Sequence, residues 1–106
     1  MKTYKLKDFT NGWIVGDFEP SIIRTKDFEF LVRSYKAGDK DAKHLHKIAD
    51  EITVIISGKV KWNGKEFSTG DVIHLPQNTA SEFECIEDCS IAVIKTPSVI
   101  GDKYLL

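Results

Sequence analysis

The chain has 106 residues, 42% of them hydrophobic and 29% charged, with 15 basic side chains against 16 acidic ones. That is the size and composition of one globular domain, 1–106, with a modest core, and it excludes a disordered chain. A net charge of −1 gives no basic excess to hold nucleic acid or an anionic membrane. No apolar run has the length of a membrane span, and "MKTYKLKDFTNGWIVGDF" lacks the apolar stretch of a signal peptide, so a cytoplasmic setting is expected.

Turn signals recur about every ten residues. They are Asn11-Gly12, Gly16-Asp17, Gly38-Asp39, Asn63-Gly64, Gly70-Asp71, Glu87-Asp88 and Gly101-Asp102. Between them lie short runs rich in β-branched and aromatic residues. "FEFLVRSY" (28–35), "ITVIIS" (52–57), "KVKW" (59–62), "KEF" (65–67), "DVIHL" (71–75), "EFEC" (82–85) and "SIAVIK" (90–95) all read as strands. "KWNGKE" is a hairpin, because Asn63-Gly64 accepts the positive φ values of a tight turn. "KDAKHLHKIADE" has near-helical spacing of Ala42, Leu45, Ile48 and Ala49, but it is short and strand signals follow at once, so it reads as loop. An all-β sandwich or small barrel is the expected class.

Cys85 and Cys89 flank Glu87-Asp88, which reads as a turn that would set the two thiols across a hairpin. Two cysteines are too few for a disulfide framework, and reduced thiols are expected. The tail "DKYLL" ends apolar, so Tyr104, Leu105 or Leu106 should dock on the barrel or on a second subunit. A small core and exposed strand edges favour a homodimer.

The chemistry concentrates in "HLHKIADEITVIISG", 44–58. On extended chain, residues two apart share a face, so His44 and His46 point together. Glu51 opens the following strand with Thr53 on its face. Around a tight corner, two imidazoles and one carboxylate can converge, a donor set that suits a divalent transition metal with open positions. Arg33 and Tyr35 share a face just before the site and could meet an anionic or sugar-like ligand. The lysines at 36, 40, 43 and 47 interleave with Asp39, Asp41 and Asp50, which reads as a solvated loop. Trp62 reads as packing.

Gly38, His44, His46, Glu51 and Gly58 spell G-x5-H-x-H-x4-E-x6-G, which resembles the first signature motif of the cupin family. "GDVIHLP", from Gly70 to Pro76, resembles the start of the second motif. The likeness covers about 34–95. It departs where the family pattern has a glycine and then a histidine, here Asn78 and Ser81, so the fourth metal ligand is missing from its usual place. The resemblance implies a double-stranded β-helix, a cupin-type jelly-roll barrel whose mouth holds the ligand. It also implies metal ligation by His44, His46 and Glu51, with His74, Thr53, Ser81, Arg33 and Tyr35 as pocket residues. The expected role is a small metal-binding cupin that handles a small polar or sugar-like metabolite. Two alternatives stand beside it. "HLHK" also resembles metal-free sugar-nucleotide isomerases of cupin type, with His44 and His46 as acid and base, and a non-catalytic ligand-binding module remains open.

Overall fold

The computed structural model describes residues 1–106. Eight strands build one antiparallel sheet that curls on itself. They are β1 (Trp13–Val15), β2 (Glu29–Tyr35), β3 (Lys40–Leu45), β4 (Asp50–Trp62), β5 (Lys65–Ser68), β6 (Val72–Leu75), β7 (Ser81–Thr96) and β8 (Tyr104–Leu105). Two single 3₁₀ turns, Leu6–Asp8 and Thr10–Gly12, precede β1. No helix is long and apolar enough to cross a membrane. The all-β expectation is met.

β7 is the common partner. It pairs with β2, β3 and β4, while β1 adds to β2, β8 to β3, and β5 and β6 to β4. The runs 52–57 and 59–62 are one bent strand, β4, and 82–85 and 90–95 are one bent strand, β7. The bend falls where the β4–β7 register shifts between Ile55 and Val60. Gly58 sits there with φ +85°, and a Cβ on it would come within 2.2 Å of the Asp88 carbonyl oxygen. Only glycine fits so close an approach in that conformation. Glu87-Asp88 therefore belongs to a bend in a continuous strand and not to a hairpin. Cys85 and Cys89 both face inward from that strand, buried and with free thiols.

"KDAKHL" corrects the loop reading. It forms β3, which pairs with β7 through Lys40↔Glu84, Asp41↔Phe83 and His44↔Ser81. The Asn63-Gly64 turn forms as expected, with φ 50° and 80° and Trp62 opposite Lys65. The tail docks through its backbone. Leu105 pairs with His44, Tyr104 with Leu45, and the Leu106 amide donates to the Lys43 carbonyl at 3.0 Å. The side chains of Tyr104, Leu105 and Leu106 stay exposed.

Alternation along each strand sorts the faces. Leu31, Ile55, Val60, Trp62, Leu75, Phe83, Cys85, Cys89, Ile91 and Val93 fill the interior. The same inward phase carries a second, polar population: Glu29, Arg33 and Tyr35 on β2, Glu51 and Thr53 on β4, Ser81 and Lys95 on β7. Of these, Arg33, Tyr35, Glu51, Ser81 and Lys95 line the mouth of the barrel.

Candidate functional site

The mouth encloses a cavity of about 210 Å³. Its wall includes Trp13, Arg33, Tyr35, Asp41, His44, His46, Glu51, Trp62, Ser81, Lys95 and Lys103 over a floor of Leu31, Ile91 and Val93. The fold brings together most of the residues singled out in the sequence. His44 and His46 are both buried, with ring centroids 5.1 Å apart and planes nearly perpendicular. His44 Nδ1 lies 2.7 Å from the Ala42 carbonyl oxygen, so it carries the proton and donates, leaving Nε2 as the free acceptor.

Glu51 enters from the first turn of β4, buried beside the imidazoles. Burial pushes its carboxyl above the usual value, and the nearby Lys95 ammonium works against that rise. Ser81 is buried opposite His44 in the β3–β7 register. Its hydroxyl accepts a hydrogen bond of 2.8 Å from the Trp62 indole. Trp62 thus both packs and lines the cavity, edge-on to Phe83 at 5.0 Å. Arg33 lies over the Tyr35 ring at 4.8 Å. Burial pushes the Tyr35 phenol up to about 12.

Two of the expected pocket residues lie elsewhere. His74 is exposed, opposite Ile52 on the outer face of β6, while Ile73 and Leu75 take the inward phase. Thr53 is fully buried one step deeper than Glu51. Its hydroxyl has no partner, and it does not reach the cavity wall.

Lys95 was not anticipated, and it occupies the centre of the arrangement. Its Cα is register partner to Glu51 on one side and Glu29 on the other, so three charged side chains stand in a row across β4, β7 and β2. Its Nζ donates to His46 Nε2 at 3.1 Å and lies 3.9 Å from Glu51 Oε1. Nζ also sits 5.0 Å from the Trp13 ring centroid. Burial first, then the charge of Lys95, depresses His46 to about 4 and keeps it neutral near pH 7. Lys95 was legible in principle: it continues the inward phase of Ile91 and Val93, and a charge in core phase signals a site.

Asp102 was missed as well. Its carboxylate accepts from the backbone amides of Lys47, Ile48 and Ala49 at 2.9–3.2 Å. Burial would raise its carboxyl, but the amides of Ala49, Lys47 and Ile48 outweigh that and hold it below the usual 3.8. This clamp fixes the corner between His46 and Glu51. Glu29, raised mainly by burial, accepts a hydrogen bond of 2.8 Å from Ser98.

The residues present do not fit the divalent metal expected from the motif. Nowhere are three or more His, Cys, Asp or Glu side chains grouped so as to hold a metal ion. The fourth position is a serine engaged by Trp62. An ammonium group already lies between two of the three candidate donors, His46 and Glu51, and takes the acceptor electrons a metal would need.

No protein-family model and no curated protein sequence matches the chain. Solved structures do. KdgF from Halomonas sp. is similar at 22% identity over 72% of this chain and 74% of its own, with a TM-score of 0.65. An uncharacterized conserved protein with a double-stranded beta-helix domain from Klebsiella pneumoniae matches 99% of this chain and 96% of its own at 19% identity and a TM-score of 0.71. The bacterial pirin YhhW from Escherichia coli, solved in complex with nickel(II), matches at 17% identity over 82% of this chain and 39% of its own, with a TM-score of 0.66. At such identities the likeness is one of architecture, and that architecture is the double-stranded β-helix of the cupins.

Proposed function

We propose that this chain is a metal-free member of the cupin fold that binds a small polar, sugar-like metabolite in the barrel mouth and moves protons on it. The observation that carries this reading is the Lys95 ammonium standing between His46 and Glu51. It supplies a fixed positive charge where a metal would otherwise polarise a substrate oxygen. His46, neutral and buried, and Glu51, with its carboxyl raised by burial, form an acid–base pair on a wall that also offers the free Nε2 of His44. A mouth of about 210 Å³ suits a molecule of few heavy atoms. The test is exchange of carbon-bound hydrogen for deuterium in aldoses, ketoses and their acids, followed by NMR in deuterated buffer. Exchange should survive a chelator and fall about 100-fold in Glu51→Gln. Exchange abolished by the chelator overturns the metal-free reading. Ligand binding without exchange of any of these compounds overturns proton transfer and leaves a binding module.

We also propose that two copies pair through the outer face of the β2–β7–β4–β6 sheet. Ile52, Ile56, Val72 and Ile94 are exposed there, with Phe30, Val32, Val54 and Ala92 between them and His74 beside Ile52 as a polar neighbour. Four strands at about 4.8 Å spacing and five residues at about 3.4 Å rise give a flat apolar face of roughly 300 Å² in projection. An exposed apolar face of that size is one that marks an association surface. Light scattering should give a dimer, and Ile52→Glu with Ile94→Glu a monomer. A wild-type monomer at high concentration sinks this assignment.

A further inference from the structure

The cavity wall carries three cationic side chains, Arg33, Lys95 and Lys103, against two carboxylates, Asp41 and Glu51. These charges are not equally engaged. Lys95 is matched by Glu51 and bonded to His46. Arg33 is half-buried, yet it forms no ion pair and no hydrogen bond with any side chain or carbonyl of the protein. Its guanidinium carbon lies over the Tyr35 ring, 4.8 Å from the centroid, and Tyr35 packs against Phe83 at 4.9 Å. Tyr35 is inward-facing, lines the same cavity, and its hydroxyl likewise has no protein partner. A half-buried guanidinium over an aromatic ring, with no acceptor from the protein, has its donors available to a ligand. Asp41 stands in the same wall without pairing with it.

We propose that the ligand of the mouth bears a carboxylate, received in a forked pair of hydrogen bonds by Arg33 and supported by Tyr35, with its hydroxylated part towards His44 and Glu51. This rests on the barrel mouth being the ligand site and adds the class of ligand. A carboxylate fits better than a phosphate. The fork is single and planar, and it matches two coplanar oxygens. A tetrahedral dianion needs donors from several directions, and the fold has no α-helix whose N-terminus could supply them.

Both tryptophans of the chain, Trp13 and Trp62, line the cavity, so intrinsic fluorescence reports on this site. Two matched pairs of probes differ only in the acid: D-glucuronate with D-glucose, and D-glycerate with glycerol. Inorganic phosphate is the third arm. The expected result is a saturable emission change with at least one acid and a response at least about 10-fold weaker with its neutral partner. Arg33→Lys keeps the charge but not the fork and should weaken the acid about 10-fold, and Arg33→Gln further still. Unchanged circular dichroism establishes that each variant is folded. Equal response to acid and neutral partner, full binding by Arg33→Gln, or tighter binding of phosphate overturns the carboxylate assignment while keeping the pocket. Silence towards every probe, with deuterium exchange intact on neutral sugars, overturns the carboxylate alone. Silence in both assays overturns it together with the proposed function.

Discussion

Lys95→Leu should gain affinity for nickel or zinc by at least about 10-fold over the wild-type protein. The lysine is held between carboxylates on both neighbouring strands, with its ammonium on the very imidazole nitrogen a metal would use. Removing it frees His46 Nε2 and leaves Glu51 and Glu29 as an uncompensated pair of buried acids. With the ammonium gone, these side chains and His44 are free to turn towards one point, and their net negative charge attracts a divalent cation. In the absence of metal the variant should be destabilised by about 1–3 kcal/mol, the cost of leaving a buried charge unpaired. Added nickel should recover that loss in the variant and do little for the wild type. Calorimetry and elemental analysis after dialysis decide the matter. Stoichiometric binding by the wild type, as tight as by the variant, would show that Lys95 yields its place to a metal.

The second large effect is expected at Asp102. Asp102→Ala leaves the amides of Lys47, Ile48 and Ala49 without their acceptor, at a cost of about 2–4 kcal/mol. The corner between His46 and Glu51 loosens with it, so carboxylate binding should weaken although Asp102 does not line the barrel-mouth cavity. The pH dependence has a definite sign. Asp102 is held below its ordinary 3.8, so its contribution is present above about that pH and lost as the pH falls through the lower folded value. His46, depressed to about 4, costs stability between about 6.5 and 4, because the unfolded chain protonates first. Glu29 and Glu51 are raised and act in the opposite direction, gaining stability as the pH falls through their folded values towards 4.5. The difference between wild type and Asp102→Ala isolates the first of these. Urea unfolding at pH 7, 5 and 3 should show it steady above about 4 and shrinking below. A difference that persists unchanged at pH 3 would mean that the clamp is not this carboxylate.

What could be read in advance depended on the range over which the information acts. His44, His46 and Glu51 were placed by period-2 alternation, which is local, and the structure keeps their phase. β3 is hard to read from sequence because a segment can be charged on both faces and still pair through its backbone, as "KDAKHL" does with β7 and β8. β7 was cut in two because Glu87-Asp88 has turn composition. The acids are tolerated because they lie exposed on the bend, where the Asp88 side chain accepts from the Ala37 amide at 2.8 Å. His74 was given a place in the pocket that it does not hold. Val72 and Ile73 are both apolar, so composition cannot choose between the two faces of β6, and register with Ile52 makes the choice. Lys95 and Asp102 act through partners 44 to 55 residues away in sequence. The core phase of Lys95 marks a site, but no residue near Lys95 or Asp102 shows which distant groups each one meets.

The role of β7 as partner to β2, β3 and β4 has a consequence for the order of assembly. During synthesis the first 80 residues leave the ribosome with β2 and β3 lacking the strand that joins them to β4. Only the nearby β1–β2, β4–β5 and β4–β6 pairings can form early. Ladders that span 54 to 66 residues, such as Tyr35↔Cys89 and Glu29↔Lys95, must wait for the final quarter of the chain. Such pairing carries a high loop-closure cost and makes the nascent chain slow to mature and open to association through its apolar strands. A polypeptide released before residue 81 should therefore be a client of chaperones and not a smaller version of the barrel.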